Sequence, residues 1–196
     1  MKILALDIGT GTQDILLFDS SHAIENCVQL VMPAPTVIAA RRVDAATKTG
    51  NPIILTGTNM GGGPVTGAIQ NHIAHGLSVY ATPEAAITFD DDLEMVRKMG
   101  LTIVDIRETE QLTGTHVILG DLDVSMVKRA LEAFDVDPSW DAIAVAVFDH
   151  GNSPPGYSDR SFRFDHLRKQ VLGNQQNIVS FIYLSDEIPE YLTRMK

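Results

Sequence analysis

The chain has 196 residues, 44% of them hydrophobic, and its formal net charge at pH 7 is −10. This length and composition are typical of a globular chain with a buried core, not of a disordered or fibrous one. An acidic surface repels nucleic acid and anionic lipid, and the densest basic segment, RSFRFDHLRK, is interleaved with acids. Neither is therefore a predicted partner. No run of about 18 consecutive apolar residues occurs, so no membrane span is predicted.

The N-terminus and the cysteine count favour a cytoplasmic protein. The opening residues MKILALDIG contain Asp7 within the apolar stretch, whereas the core of a signal peptide is longer and uncharged. Cys27 is the only cysteine in the sequence, which excludes an internal disulfide and any cluster held by several cysteines. A single thiol fits a reducing compartment.

Short apolar runs rich in β-branched residues alternate with amphipathic stretches along the chain. The runs predict strands at residues 3–8, 15–18, 37–40, 53–56, 77–80, 102–105, 117–119, 143–148 and 179–184. Three helices are predicted, one from Pro64 to Gly76, one after the acidic triplet 90–92 up to Gly100, and one from Asp123. The apolar residues of the third share one face: Val124, Val127, Leu131 and Phe134.

Strands that alternate with helices predict an α/β fold with a mixed, mostly parallel sheet and helices on both faces. Residues 149–163 are rich in glycine, proline and serine, and they are predicted to form a loop. No repeat, linker or low-complexity tract divides the sequence. Residues 1–196 are therefore predicted to form a single domain.

The first predicted site is the loop within LALDIGTGTQDILLFD. Its closely spaced glycines, Gly9 and Gly11, let backbone N–H groups turn towards an anion, and the hydroxyls of Thr10 and Thr12 add donors. Asp7 ends the preceding strand, where a carboxylate can hold a Mg²⁺ ion that bridges phosphate oxygens. The loop is therefore predicted to bind a phosphate group and a metal.

The residues after this loop decide between two ligands. A turn that binds S-adenosylmethionine in a methyltransferase has a third glycine and is followed by a helix. Here Gln13 takes the third glycine position, and the apolar residues ILLF that follow Asp14 predict a second strand. The loop is therefore predicted to join two antiparallel strands, which favours a nucleotide.

The segment resembles the first phosphate motif of the actin-like ATPase and sugar-kinase superfamily, which includes actin, hexokinase and the large heat-shock chaperones. The resemblance implies a ribonuclease-H-like fold that begins with a β-hairpin. It also implies that the loop from Gly9 to Thr12 wraps the β- and γ-phosphates of ATP, and that Asp7 positions the metal. A basic residue or glutamine often follows the loop in the superfamily, and Gln13 matches that position.

The glycine triplet within LTGTNMGGGPVTGAI is a second predicted site. Gly61, Gly62 and Gly63 lie between a predicted strand and a helix that opens with Pro64, and free N–H groups at a helix start can bind an anion. The pattern is no dinucleotide fingerprint, because Thr66 replaces the last glycine, and no Walker loop, because the chain has no Gly-Lys pair. The alternative is that the glycines serve close packing or form a flexible rim.

Polar residues after the strand AVFD form a third predicted site. Asp149, His150 and Asn152 would lie at the carboxyl edge of the sheet, where open α/β sheets bind ligands, and Asp159 and Arg160 follow in the same loop. Asp149 is predicted to act as a general base or a second metal contact. The resemblance implies that it orients the attacking water or hydroxyl. The alternative is that both aspartates only cap turns.

Together these segments resemble an uncharacterised prokaryotic family with an actin-like ATPase N-terminus, along nearly the whole chain. Some members carry the label of a pyruvate formate-lyase activating enzyme, which implies an iron–sulfur cluster held by three closely spaced cysteines. Cys27 alone cannot hold such a cluster, so this activity is not predicted. Superfamily members have two similar halves around the nucleotide, and no second phosphate hairpin follows here. The chain is therefore predicted to be the first half of a two-lobed architecture.

The sequence thus predicts Mg-ATP binding, with ATP hydrolysis or phosphoryl transfer to an unidentified small-molecule acceptor in the complete protein. Asp7 and Asp149 are the predicted catalytic residues, and Asp7 is the predicted metal ligand. Half of a two-lobed site should bind the nucleotide weakly. One alternative is a non-catalytic ligand-binding or scaffolding module of the same fold. Another is an S-adenosylmethionine-dependent methyltransferase.

Overall fold

A computed structural model describes residues 1–146, 153–154, 156–173 and 177–192. The chain divides into two compact units, Met1–Ala146 and Val147–Lys196. The first unit contains, in chain order, β1 (Lys2–Ile8), β2 (Thr12–Asp19), β3 (Val28–Pro33), α1 (Pro35–Thr49), β4 (Ile53–Gly57), α2 (Gly63–Ala74), β5 (Val79–Ala81), α3 (Pro83–Ala86), α4 (Leu93–Lys98), β6 (Thr102–Ile103), α5 (Ile106–Thr109), β7 (Thr115–Leu119), α6 (Val124–Glu132) and β8 (Ala142–Ala146). The second contains α7 (Asp159–Gly173) and a 3₁₀ turn at Ile178–Phe181.

The first sheet is mixed and has the order β3-β2-β1-β8. Strands β1, β2 and β3 pair antiparallel, as tight connections allow, whereas β8 returns from far along the chain and pairs parallel to β1. Alternate residues of β1 and β2 are buried on one face of this sheet, where they pack against α6. The buried residues of this core are Leu4, Leu6, Ile15, Leu17, Val127 and Leu131.

The second sheet is parallel throughout the described residues and has the order β6-β5-β4-β7. Its strands are short apolar runs, and Ile53, Ile54 and Leu55 of β4 are completely buried, as expected for central parallel strands. Helices α1 to α4 supply the rest of this larger core. The structure therefore confirms a mixed α/β fold, and it distributes the strands over two sheets instead of one.

Helix α1 corrects the strand predicted at residues 37–40. Pro35 occupies the first helical turn, and Gly50 ends the helix in the left-handed conformation with φ of 70°. The β-branched pair Val37 and Ile38 favours a strand locally. The buried positions nevertheless recur every three or four residues, as on one face of a helix. They are Thr36, Ala39, Ala40, Val43 and Ala46.

The three predicted helices are confirmed as α2, α4 and α6. Asp92 and Asp123 cap α4 and α6 by accepting hydrogen bonds from backbone N–H groups of the first turn. Phe134 is not on the buried face of α6, because the helix ends at Glu132 and the Phe134 side chain is 74% exposed. No helix among the described residues is long and apolar enough to cross a membrane.

The second unit corrects two further predictions. Helix α7 begins at Asp159, so residues 159–163 are helical and do not belong to the predicted loop. The strand predicted at 179–184 is wrong, since Ile178–Phe181 is a 3₁₀ turn. The Asn177 side chain accepts a hydrogen bond from the Val179 N–H, which starts a turn in place of an extended strand.

Candidate functional site

The β1–β2 hairpin places two carboxylates directly opposite each other. Asp7 of β1 and Asp14 of β2 are cross-strand partners in the antiparallel register, and both side chains are exposed. Directly opposed residues of a β-pair have Cβ atoms about 4.5–5.5 Å apart. Two like charges at this distance repel each other unless a cation lies between them, so the pair is suited to bind one.

Three carbonyl groups of the loop that joins these strands accept hydrogen bonds. The Thr12 carbonyl accepts from the Gly9 N–H at 2.9 Å, and the Gly11 carbonyl accepts from the Ala34 N–H at 3.1 Å. The Thr10 carbonyl accepts from the Thr36 hydroxyl at 2.9 Å. These three bonds fix the direction of three successive peptide planes.

A trans peptide points its N–H away from its C=O, so the N–H groups that follow these carbonyls face the other way. For the Thr10 and Gly11 carbonyls these are the N–H groups of Gly11 and Thr12. Gly11 donates no hydrogen bond to another described residue, and it lies on the exposed side of the loop. The Gly11 N–H and the exposed hydroxyls of Thr10 and Thr12 are donors suited to an anion.

The glycine triplet lies next to this loop, although 50 residues separate them along the chain. A Cβ atom built at Gly63 would lie 3.8 Å from the Thr10 Cβ and 3.8 Å from the Thr36 hydroxyl oxygen. Gly63 itself has φ of +44°, which an L side chain rarely adopts. The structure thus brings two of the three predicted sites together around the start of α2.

The rest of the triplet has a packing role as well. A Cβ at Gly62 would lie 1.8 Å from the Thr66 hydroxyl and 3.4 Å from the Phe89 ring, whereas one at Gly61 would meet nothing within 4 Å. The close-packing alternative therefore describes Gly62, which sits against α2. Gly61 and Gly63 are exposed, and Gly63 lies beside the hairpin loop.

A partly buried amide–carboxylate pair anchors the loop before the triplet. Asn59 is 1% exposed, and its Nδ2 donates to the Asp121 carboxylate at 3.0 Å. The Met60 N–H donates to the same carboxylate at 2.7 Å. Asp121 follows β7, the neighbour of β4 in the sheet. The carboxyl ends of two parallel strands therefore hold the glycine triplet in place.

Gln13 lies on the other face of the hairpin from the aspartate pair. Its side chain is 7% exposed, and its Nε2 donates to the Pro33 carbonyl at 3.0 Å. Residues alternate between the faces of a strand, so Gln13 shares its face with buried Ile15, whereas Asp14 faces solvent. Its amide links β2 to the end of β3 in this structure.

The third predicted site lies partly outside the described residues. Asp149, His150 and Asn152 lie outside the described residues, and Asp159 and Arg160 are the first two residues of α7. Ala146, the last residue of β8, is the parallel partner of Asp7. Asp149 follows it by three positions in the sequence.

The structure adds three residues that the sequence analysis did not single out: Asp14, Thr36 and Asp121. Asp14 was predictable, because a hairpin that pairs Ile8 with Gln13 must pair Asp7 with Asp14. Thr36 bonds to a residue 26 positions away. Asp121 bonds to residues 62 and 61 positions away. No local pattern in the sequence encodes those contacts.

Comparison with known proteins yields a family and no closer relative. No curated protein and no solved structure matches the chain. One protein family, described as "Putative pyruvate format-lyase activating enzyme (DUF1786)", matches residues 60–196, which is more than half of the chain and includes the glycine triplet. The chain belongs to this DUF1786 family.

Proposed function

We propose that the β1–β2 hairpin binds Mg-ATP, and that the complete protein hydrolyses ATP or transfers its phosphoryl group to a small molecule. The observation that carries the proposal is the bonding of the Thr10 and Gly11 carbonyls to Thr36 and Ala34. This bonding leaves the following N–H groups available to phosphate oxygens. The hairpin loop and the triplet glycines Gly61 and Gly63 would then enclose the phosphate chain.

The carboxylate pair fits the metal of the proposed complex. Mg²⁺ prefers oxygen ligands, keeps several waters, and is usually bound in proteins by one or two carboxylates together with substrate phosphates. Asp7 and Asp14 supply two carboxylates at the mouth of the loop. When bound, Mg²⁺ neutralises charge on the phosphate oxygens, which supplies much of the catalysis in phosphoryl transfer.

The architecture agrees with the proposal. We assign the first sheet to a ribonuclease-H-like core of the actin-like kind. Such a core begins with a β-hairpin in a mixed sheet. The β3-β2-β1-β8 sheet has both features. The DUF1786 description names a radical activating enzyme, but one cysteine in 196 residues does not provide a three-cysteine cluster. We therefore assign phosphoryl chemistry, with Asp149 as the residue that orients the nucleophile.

The alternatives depend on other features of the same loop. A helix that covers the cofactor would favour a methyltransferase, and strand β2 stands in that place. A non-catalytic module would keep the folded hairpin without its metal chemistry. Removal of the Asp7 carboxylate therefore distinguishes Mg-dependent nucleotide binding from binding by the fold alone.

Thermal unfolding tests the proposal on the full chain with Mg-ATP, Mg²⁺ alone and S-adenosylmethionine. Mg-ATP at about a hundred times its Kd should stabilise the protein by roughly 2.7 kcal/mol, which raises Tm by several degrees in a chain of this size. Asp7→Ala should abolish the rise. Asp44→Ala, which removes an exposed carboxylate of α1, should keep it.

Two results would contradict the proposal. A rise of equal size in Asp7→Ala would show that nucleotide binds elsewhere or without the metal. A rise with S-adenosylmethionine but none with Mg-ATP would assign the loop to the other cofactor.

A further inference from the structure

An apolar cavity of about 370 Å³ lies between the two sheets of the first unit. Its floor is formed by Ile15 of the first sheet, Leu119 of the second, and Val127 of α6, each at most 5% exposed. Helices α1 and α6 form the walls, and Ile118 and Leu122 stand at the rim, 70% and 39% exposed. Ligand pockets are commonly of this size and apolar character, and often lie where two structural layers meet.

Few polar groups line the cavity, and most of them have hydrogen-bond partners within the protein. Asp123 caps α6, where its carboxylate accepts from the Ser125 hydroxyl and the Met126 N–H. These hydrogen bonds, with a smaller effect of the Arg129 guanidinium, lower the pKa of Asp123 and stabilise its carboxylate. Gln13 donates to the backbone. The negative and neutral groups are therefore already satisfied by the protein.

Arg42 differs from them. It lies on α1, lines the cavity, and has an exposed side chain. In the part of the chain that the structure describes, its guanidinium takes part in no ion pair or hydrogen bond. Its five N–H donors suit a carboxylate. An unpaired cation above an apolar floor is complementary to a molecule with an apolar body and one anionic end.

We propose that this cavity binds a small apolar monocarboxylic acid, with the hydrocarbon between α1 and α6 and the carboxylate on Arg42. The site is distinct from the hairpin loop, and it does not depend on nucleotide binding. Helix α1 connects the two places, since Thr36 in its first turn holds the Thr10 carbonyl and Arg42 lies two turns further on.

Methionine methyl groups provide a direct test with octanoate as the probe. Met32 and Met126 line the cavity, whereas Met95 and Met99 belong to the region around α4. NMR of the chain labelled at its methionine methyls should show saturable shifts of Met32 and Met126 with octanoate and none of Met95 or Met99. Octanol and octylamine have the same eight-carbon hydrocarbon as octanoate but lack its carboxylate. Their affinities separate the contribution of the charge to binding from that of the apolar body.

Two substitutions and one matched control localise the site. Arg42→Gln should weaken octanoate about tenfold or more, the usual effect of losing a charged hydrogen-bond partner, and leave octanol unchanged. Arg41→Gln removes the same charge one position away, outside the cavity lining, and should leave the octanoate Kd unchanged. Ala130→Leu places a larger side chain into the cavity from α6 and should abolish binding while circular dichroism stays that of the folded chain.

Four outcomes would overturn the proposal. They are no shift of Met32 and Met126, uniform shifts of all methionines as with a detergent, equal weakening in both arginine variants, and octylamine binding as tightly as octanoate. If Ala130→Leu unfolds, the arginine pair still decides, since both positions are exposed on α1.

Discussion

At the scale of single residues, the aspartate pair of the hairpin has a measurable effect on stability. The Asp7–Asp14 pair places like charges opposite each other, which destabilises a β-pair when no cation is present. Without Mg²⁺, Asp14→Asn should therefore raise Tm by about one to three degrees, and added salt should reduce the difference by screening. Differential scanning calorimetry measures this, with Asp44→Asn as the control for net charge. A lower Tm for Asp14→Asn would mean that the carboxylate stabilises the hairpin.

His72 provides a second prediction at the same scale. Its ring is completely buried in α2, and its Nδ1 lies 2.8 Å from the Thr47 hydroxyl. Loss of hydration lowers the pKa of His72, so the unfolded chain, with an ordinary histidine pKa of about 6.5, takes up the proton first. The free energy of unfolding should therefore fall as pH drops below about 6.5, by up to about 1.4 kcal/mol per pH unit. Above about pH 6.5, His72 should cause no pH dependence of stability.

Urea unfolding between pH 5 and 8 tests the His72 prediction by comparison of variants. His72→Gln should lose that part of the pH dependence, whereas His116→Gln, at an exposed position of β7, should keep it. Equal slopes in the wild type and His72→Gln would mean that His72 does not titrate differently in the folded state.

At the scale of elements, two glycines in different surroundings should respond in opposite ways to alanine. Gly67 lies in the exposed interior of α2, and a Cβ there would meet nothing within 4 Å. Gly67→Ala should therefore raise the free energy of unfolding by about 0.5–1 kcal/mol. Gly57 ends β4 with φ of +72°, and its Cβ would lie 2.2 Å from the Leu119 carbonyl oxygen. Gly57→Ala should destabilise the chain, and a neutral result would contradict the strand pairing of β4 with β7.

Elements also show how far the sequence alone predicts this fold. The hairpin was predictable because its apolar runs and its Gly-Thr turn are local. Helix α1 was not, because Val37 and Ile38 favour a strand locally and only burial against α2 and β7 makes the helix the better state. The division into two sheets depends on β8 pairing with β1 across more than 130 residues, which no short pattern encodes.

At the scale of the whole molecule, the candidate site depends on contacts between distant segments. The sequence identified the hairpin loop and the glycine triplet separately, and their proximity depends on Thr36 and on the Asn59–Asp121 pair. The aspartate pair was implied by the hairpin register. The remaining predicted residues, Asp149, His150 and Asn152, stay predictions.

The central claim is that Mg-ATP binds through the amides of the hairpin loop, and amide NMR of the chain labelled with ¹⁵N-glycine measures this directly. Titration with Mg-ATP should shift the Gly11 and Gly63 signals saturably, and should leave Gly50 and Gly76, at the C-terminal ends of α1 and α2, unchanged. The shifts should disappear in Asp7→Ala, whose own spectrum must show a folded chain. Saturating Mg-ATP that leaves Gly11 unmoved, or that moves all four glycines alike, would contradict the account.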